Sequence, residues 1–151
     1  MTDWNALIPD LSRWNNGGGI DPEGWIACEG SFTLASAYSL IFWPEFVELD
    51  GMVFRAPMDR QSLESWKRSC AGGSGELEAL VNHLHILDLH HAECPDASLE
   101  RIVHLGSVLS EIYAAKLAAQ FPDKSFVVEF YEPEDKKLQD YQLTFFQRRI
   151  D

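Results

Sequence analysis

The sequence is short of cysteine and of positive charge, and it lacks any hydrophobic run long enough to cross a bilayer. Its three cysteines, Cys28, Cys70 and Cys94, are odd in number, widely spaced and form no C-x-x-C pair. That excludes a disulfide framework and a zinc-finger pattern, and it predicts free thiols in a reducing, cytoplasmic compartment. The longest apolar stretch, residues 34–43, is interrupted by Ser36 and Ser39 and closed by Pro44, well short of the roughly 20 residues a spanning helix needs. Residues 1–10 carry neither a basic nor an apolar signal-peptide region, so no secretory signal is expected.

Basic residues number 12 against 24 acidic ones, a formal net charge of −12 at pH 7. Nucleic-acid binding rests on phosphate neutralisation. The densest basic clusters, Lys67-Arg68 and Arg148-Arg149, are only pairs, so no nucleic-acid partner is expected. A basic protein is the partner that such a charge would steer. Glycine-rich phosphate cradles are missing too, because Asn15-Asn16-Gly17-Gly18-Gly19 has neither the G-x-G-x-x-G spacing nor a Walker ending. It reads as a loop running to about Gly30.

At 151 residues and 46% hydrophobic, the chain suits one globular domain with a core that needs no metal or disulfide staple. Trp4, Leu7, Ile8, Leu11 and Trp14 recur at helical spacing, with Pro9 set to kink or restart the helix. Residues 32–42 are apolar nearly all round, as a helix in the middle of a core would be. Next comes a hairpin signal, Phe46-Val-Glu-Leu49 and Met52-Val-Phe-Arg55 joined by Asp50-Gly51. Its register places Val47, Leu49, Met52 and Phe54 on one face and makes Glu48 and Arg55 a diagonal charge pair on the other.

Asp59 is set to cap a helix, with Met58 and Leu63 spaced as a hydrophobic staple. Leu77, Leu80, Val81, Leu84 and Leu87 predict a further helix, continuing to residue 91. A longer one over 99–121 carries Leu99, Ile102, Val103, Gly106, Leu109, Tyr113 and Leu117 on its core stripe and stops at Pro122. Alternation then predicts two closing strands, with Tyr141, Leu143 and Phe145 sharing a face. The expected fold is α+β: about five helices on a small antiparallel sheet made of two hairpins, about 45–56 and 125–148.

Chemistry-bearing residues concentrate at His83, His85, Asp88, His90, His91, Glu93 and Cys94. On a helix, His83 and His85 stand about 200° apart and cannot address one ion, while His83 and His90 share a face but lie about 10.5 Å apart along the axis. No H-x-x-x-H or H-E-x-x-H is present. A metal would use His90, His91, Glu93 and Cys94 where the helix gives out, with an outside ligand. The plainer reading makes His83 and His85 boundary residues, with His90 and His91 at a helix C-terminus. His104 aligns with Glu100, Ser107 and Glu111 on the polar side of the long helix, so a carboxylate is its expected partner.

No G-x-S-x-G elbow or cysteine signature supports nucleophilic catalysis, which weighs against an enzyme, and no cofactor is expected. Trp14, Trp25, Trp43 and Trp66, near loops and element ends, are the candidate partner-binding anchors, although core packing is the commoner use of such residues. The favoured expectation is a cytoplasmic protein-binding module, an inhibitor or immunity-type partner of a basic protein. The alternative is a small metal-dependent enzyme or metal-binding domain built on residues 83–94. A scaffold without chemistry of its own is a third reading.

Overall fold

The computed structural model describes residues 1–91 and 94–148. The chain is α+β, and it divides into two compact units, Met1–Ile41 and Phe42–Asp151.

In the first unit, Asp3 accepts from the N–H groups of Asn5 and Ala6 and starts α1, Trp4–Leu7. Pro9 lacks the N–H that would continue that helix, so the chain restarts as α2, Asp10–Gly17. Leu7 and Leu11 are its buried residues. Asn15 and Asn16 take left-handed backbone angles, which ends right-handed winding after Arg13. The expected loop to Gly30 is interrupted by a third helix, α3, Pro22–Glu29. Asp21 caps it by accepting from the Gly24 N–H at 2.9 Å, and Pro22 is preorganised for the first turn. After Gly30, Ser31 caps α4, Phe32–Phe42, accepting from the Leu34 N–H.

The second unit opens with the predicted hairpin, β1 (Phe46–Leu49) and β2 (Met52–Arg55), in the expected register of Leu49 opposite Met52. Asp50 and Gly51 both have positive φ, as a two-residue primed turn requires. Met52 and Phe54 pack with Leu63 and Leu77, and Val47, Leu49 and Met58 cover them. The expected Glu48–Arg55 pair does not form, since Glu48 instead meets the ammonium of Lys124 at 2.9 Å. Helix α5, Arg60–Ser69, is capped by Asp59 through the Ser62 N–H at 2.7 Å. Lys67 and Arg68 fall in its last turn, where cations complement the dipole.

Helix α6, Ser74–Val81, is shorter than its periodicity predicts. Leu84 and His85 form β3, followed by a 3-10 turn over Ile86–Leu89. Helix α7, Leu99–Gln120, buries Ile102, Gly106, Leu109, Tyr113 and Leu117 and packs on β4, Phe126–Tyr131. Among the described residues it is the one helix long and apolar enough to cross a membrane by length and composition. A buried stripe against a sheet is equally what a core helix shows. Strand β5, Gln142–Gln147, pairs with both β4 and β3.

The strands therefore form two sheets, β1-β2 and β3-β5-β4, where one was expected, and the described residues hold seven α-helices. A polar clamp from α6 joins the sheets. Glu78, fully buried, accepts from the Val53 N–H of β2 at 2.7 Å and from the Gln147 N–H of β5 at 3.0 Å. One turn on, buried Asn82 donates to the carbonyls of Val53 and Phe145 and accepts from the Arg55 N–H. Beside the clamp, Phe46, Tyr113, Phe126 and Phe145 pack edge to face, with Phe46 and Phe145 centred 5.1 Å apart.

Candidate functional site

Two surfaces carry more than packing explains. The first belongs to the N-terminal unit. No charged residue stands between Glu29 and Glu45, and within that stretch α4 has no buried residue. The expectation of a core helix is thus overturned. Phe32 is 96% exposed and Leu40 75%, with Leu34 and Ile26 also in solvent. The all-apolar pattern predicts burial only if the chain supplies a covering face.

Between α3 and α4 runs an apolar groove of about 600 Å³, lined by Trp25, Ile26, Phe32, Leu34, Ala35 and Tyr38, with Glu29 as its one charged wall residue. The corner is fixed by Gly30, whose N–H donates to Ile26 at 2.8 Å. A Cβ there would lie 2.6 Å from the Ile26 carbonyl oxygen, so no other residue fits without moving the corner. The indole N–H of Trp25 is buried and has no acceptor.

The four candidate tryptophans are not one constellation. Trp14 and Trp25 belong to the first unit and only Trp25 lines the groove. Trp43 and Trp66 belong to the second. Trp43 is over half exposed, with the Lys116 ammonium 4.8 Å from its ring centre, and Trp66 is 38% exposed on α5.

The second surface is the histidine segment, where the expected helix over 76–91 is corrected. Asn82 caps α6, because its side chain is committed to the clamp, and the next residues leave in extended form to pair with β5, Leu84 opposite Leu143 and His85 opposite Gln142. In extended chain, side chains two apart share a face. His83 and His85, expected to diverge, instead meet at 5.3 Å between ring centres with planes 88° apart. Each Nδ1 faces a backbone carbonyl, Leu80 for His83 and, at 2.8 Å, Gln139 for His85. A carbonyl oxygen only accepts, so both Nδ1 atoms carry the proton.

His85 also lines a cleft of about 660 Å³ walled by Glu132, Glu134, Asp135 and Asp140. Burial, reinforced by Glu132 and Asp135, pushes the neighbouring Tyr141 hydroxyl above its ordinary range.

The metal set expected at the end of that helix fares differently. His90 and His91 follow the 3-10 turn and so do not sit in the last turn of an α-helix, and Glu93 lies outside the described residues. Cys94 donates its thiol proton to Asp96 at 2.9 Å, which pushes the thiol above its ordinary value, whereas metal ligation requires the thiolate. No group of three His, Cys, Asp or Glu among the described residues could hold a metal ion.

Sequence reading missed the clamp residues Glu78 and Asn82 and the helix α3. For α3 the signal was present in Asp21-Pro22, a cap followed by proline at the first helical position. Comparison with protein-family models, with curated proteins and with solved structures finds no match.

Proposed function

We propose that this chain is a protein-binding module acting in the cytoplasm, an inhibitor or immunity-type partner of a basic protein. The observation that carries this reading is the uncharged, unburied helix α4 beside the α3 groove. Contiguous exposed apolar surface of this kind marks interaction sites. The N-terminal unit carries five carboxylates, Asp3, Asp10, Asp21, Glu23 and Glu29, against the one cation Arg13, and Glu29 lines the groove. An apolar groove on an acidic unit suits a partner that offers an apolar anchor among basic residues. Trp25 is the anchor residue on this side, and the net charge of −12 supplies the long-range attraction.

The test is capture on the immobilised chain from its native host, run in parallel with a Phe32→Asp, Leu34→Asp variant. The expected result is a protein of net positive charge retained by the wild type and lost from the variant, with an association rate that falls as ionic strength rises. Equal retention by the variant, or a rate indifferent to salt, would refute the reading.

A further inference from the structure

We propose that His83 and His85 form a two-imidazole chelate for a divalent transition-metal ion, independent of the protein-binding surface. Three observations converge on it. His85 lies on the edge strand β3 and His83 stands two residues before it, just outside the strand, a spacing that in extended chain brings side chains to one side. Their centres lie 5.3 Å apart. Two imidazoles bound through Nε2 to one ion at about 2.1 Å and near-tetrahedral angle have centres roughly 5 Å apart, a separation that this pair meets.

The tautomer is already set. With Nδ1–H of His83 donating to the Leu80 carbonyl and that of His85 to Gln139, neutral rings keep their lone pairs on Nε2. A backbone carbonyl on the far nitrogen is the usual outer partner of a metal-bound histidine: it orients the ring and raises the ligand's basicity. Here that partner is present on both rings.

The site is a two-donor chelate, because no third His, Cys, Asp or Glu joins it among the described residues, and solvent completes the coordination. Glu132 and Asp140 in the cleft beside His85, where Asp135 is paired with Lys137, then act through their field, raising the local concentration of cations. Imidazole donors select Cu2+, Ni2+ and Zn2+ over the hard ions Mg2+ and Ca2+, with Cu2+ the tightest.

Calorimetric titration of the tag-free full chain with Cu2+, Ni2+ and Zn2+ tests the proposal. One ion per chain is expected, in the order Cu2+ above Ni2+ and Zn2+, undisturbed by excess Mg2+ or Ca2+. His83→Asn and His85→Asn retain a donor near the Nδ1 position and delete the Nε2 ligand. Each is expected to weaken binding by about tenfold or more without shifting the melting temperature of the metal-free protein, while His90→Asn and His91→Asn leave binding unchanged. Nitrogen-15 spectra of the metal-free chain should show both rings protonated at Nδ1. Absence of binding, survival of full affinity in either His83 or His85 variant, transfer of the loss to the His90 and His91 variants, or displacement by Ca2+ would each overturn it.

Discussion

Glu78 and Asn82 show how two polar side chains, one helical turn apart, decide the architecture of the second unit. Both backbone groups of Val53 are taken by them, the N–H by Glu78 and the carbonyl by Asn82. Gln147 adds a second bond to Glu78 through its side-chain amide at 2.6 Å. Buried backbone groups left without partners cost about 1–3 kcal/mol each. Glu78→Ala, which orphans the Val53 and Gln147 N–H groups together, is therefore expected to destabilise the fold by about 3–5 kcal/mol. Asn82→Ala should cost about 2–3 kcal/mol. Because the two residues share Val53, the double variant should fall short of the sum. Urea unfolding checks all three, and a loss under about 1 kcal/mol for Glu78→Ala would show that the sheets are held by apolar packing alone.

Among the elements, those whose instructions are local were legible in the sequence. The Asp50-Gly51 turn needs positive φ at both positions, and its flanking alternation admits one register, so β1 and β2 came out residue for residue. Pro9 separated α1 from α2, Asp59 capped α5, and Pro122 follows the end of α7. The failures share a cause, which is competition from partners distant in sequence. Residues 77–87 have helical periodicity, yet Asn82 is worth more to Val53 and Phe145 than to a continuing helix, and β5 offers Leu84 and His85 a ladder. The α4 pattern was equally legible as apolar, but composition cannot say whether the same chain provides the cover. For the candidate site, the sequence read His83 and His85 as diverging on a helix and put the metal set at His90, His91, Glu93 and Cys94, whereas the rings of His83 and His85 meet, and it named Trp25 without the groove that Trp25 lines.

Capping also carries a pH signature at this scale. The Ser62 N–H and hydroxyl hold the Asp59 carboxyl below its ordinary value of 3.8, and Lys67 with Arg60 does the same for Asp50 in the hairpin turn. A depressed folded pKa means stabilisation that is complete above the unfolded value and lost as pH falls through the folded one. Asp59→Ala and Asp50→Asn, the latter keeping a residue that tolerates the positive φ of the turn, should each lower the melting temperature near pH 7. The difference from wild type should shrink below pH 3.8 and vanish once the folded-state carboxyls are protonated. A melting difference unchanged between pH 7 and pH 2 would mean that the carboxylate charge is not what holds the cap or the turn.

For the molecule as a whole, net charge and apolar surface pull in opposite directions, and their balance sets its solution behaviour. At pH 7 a charge of −12 keeps copies apart, although α4 offers each of them Phe32, Leu34 and Leu40 as an apolar landing surface. The repulsion disappears near the isoelectric point of about 4.7 and is shortened by salt, to a range of about 8 Å at physiological ionic strength, whereas apolar attraction does not depend on net charge. Light scattering should therefore show self-association rising as pH is lowered from 7 toward 4.7, and rising with sodium chloride at pH 7. Both pH values lie above 3.8, so the carboxyls of Asp50 and Asp59 stay ionised and the fold keeps their contribution. The Phe32→Asp, Leu34→Asp variant should remain dispersed under the same conditions, more so than its two added charges achieve when placed on α5, for instance at Gln61 and Ser65. If the α5 control disperses the protein equally well, charge alone governs its solubility and the α4 face is not the surface through which it associates.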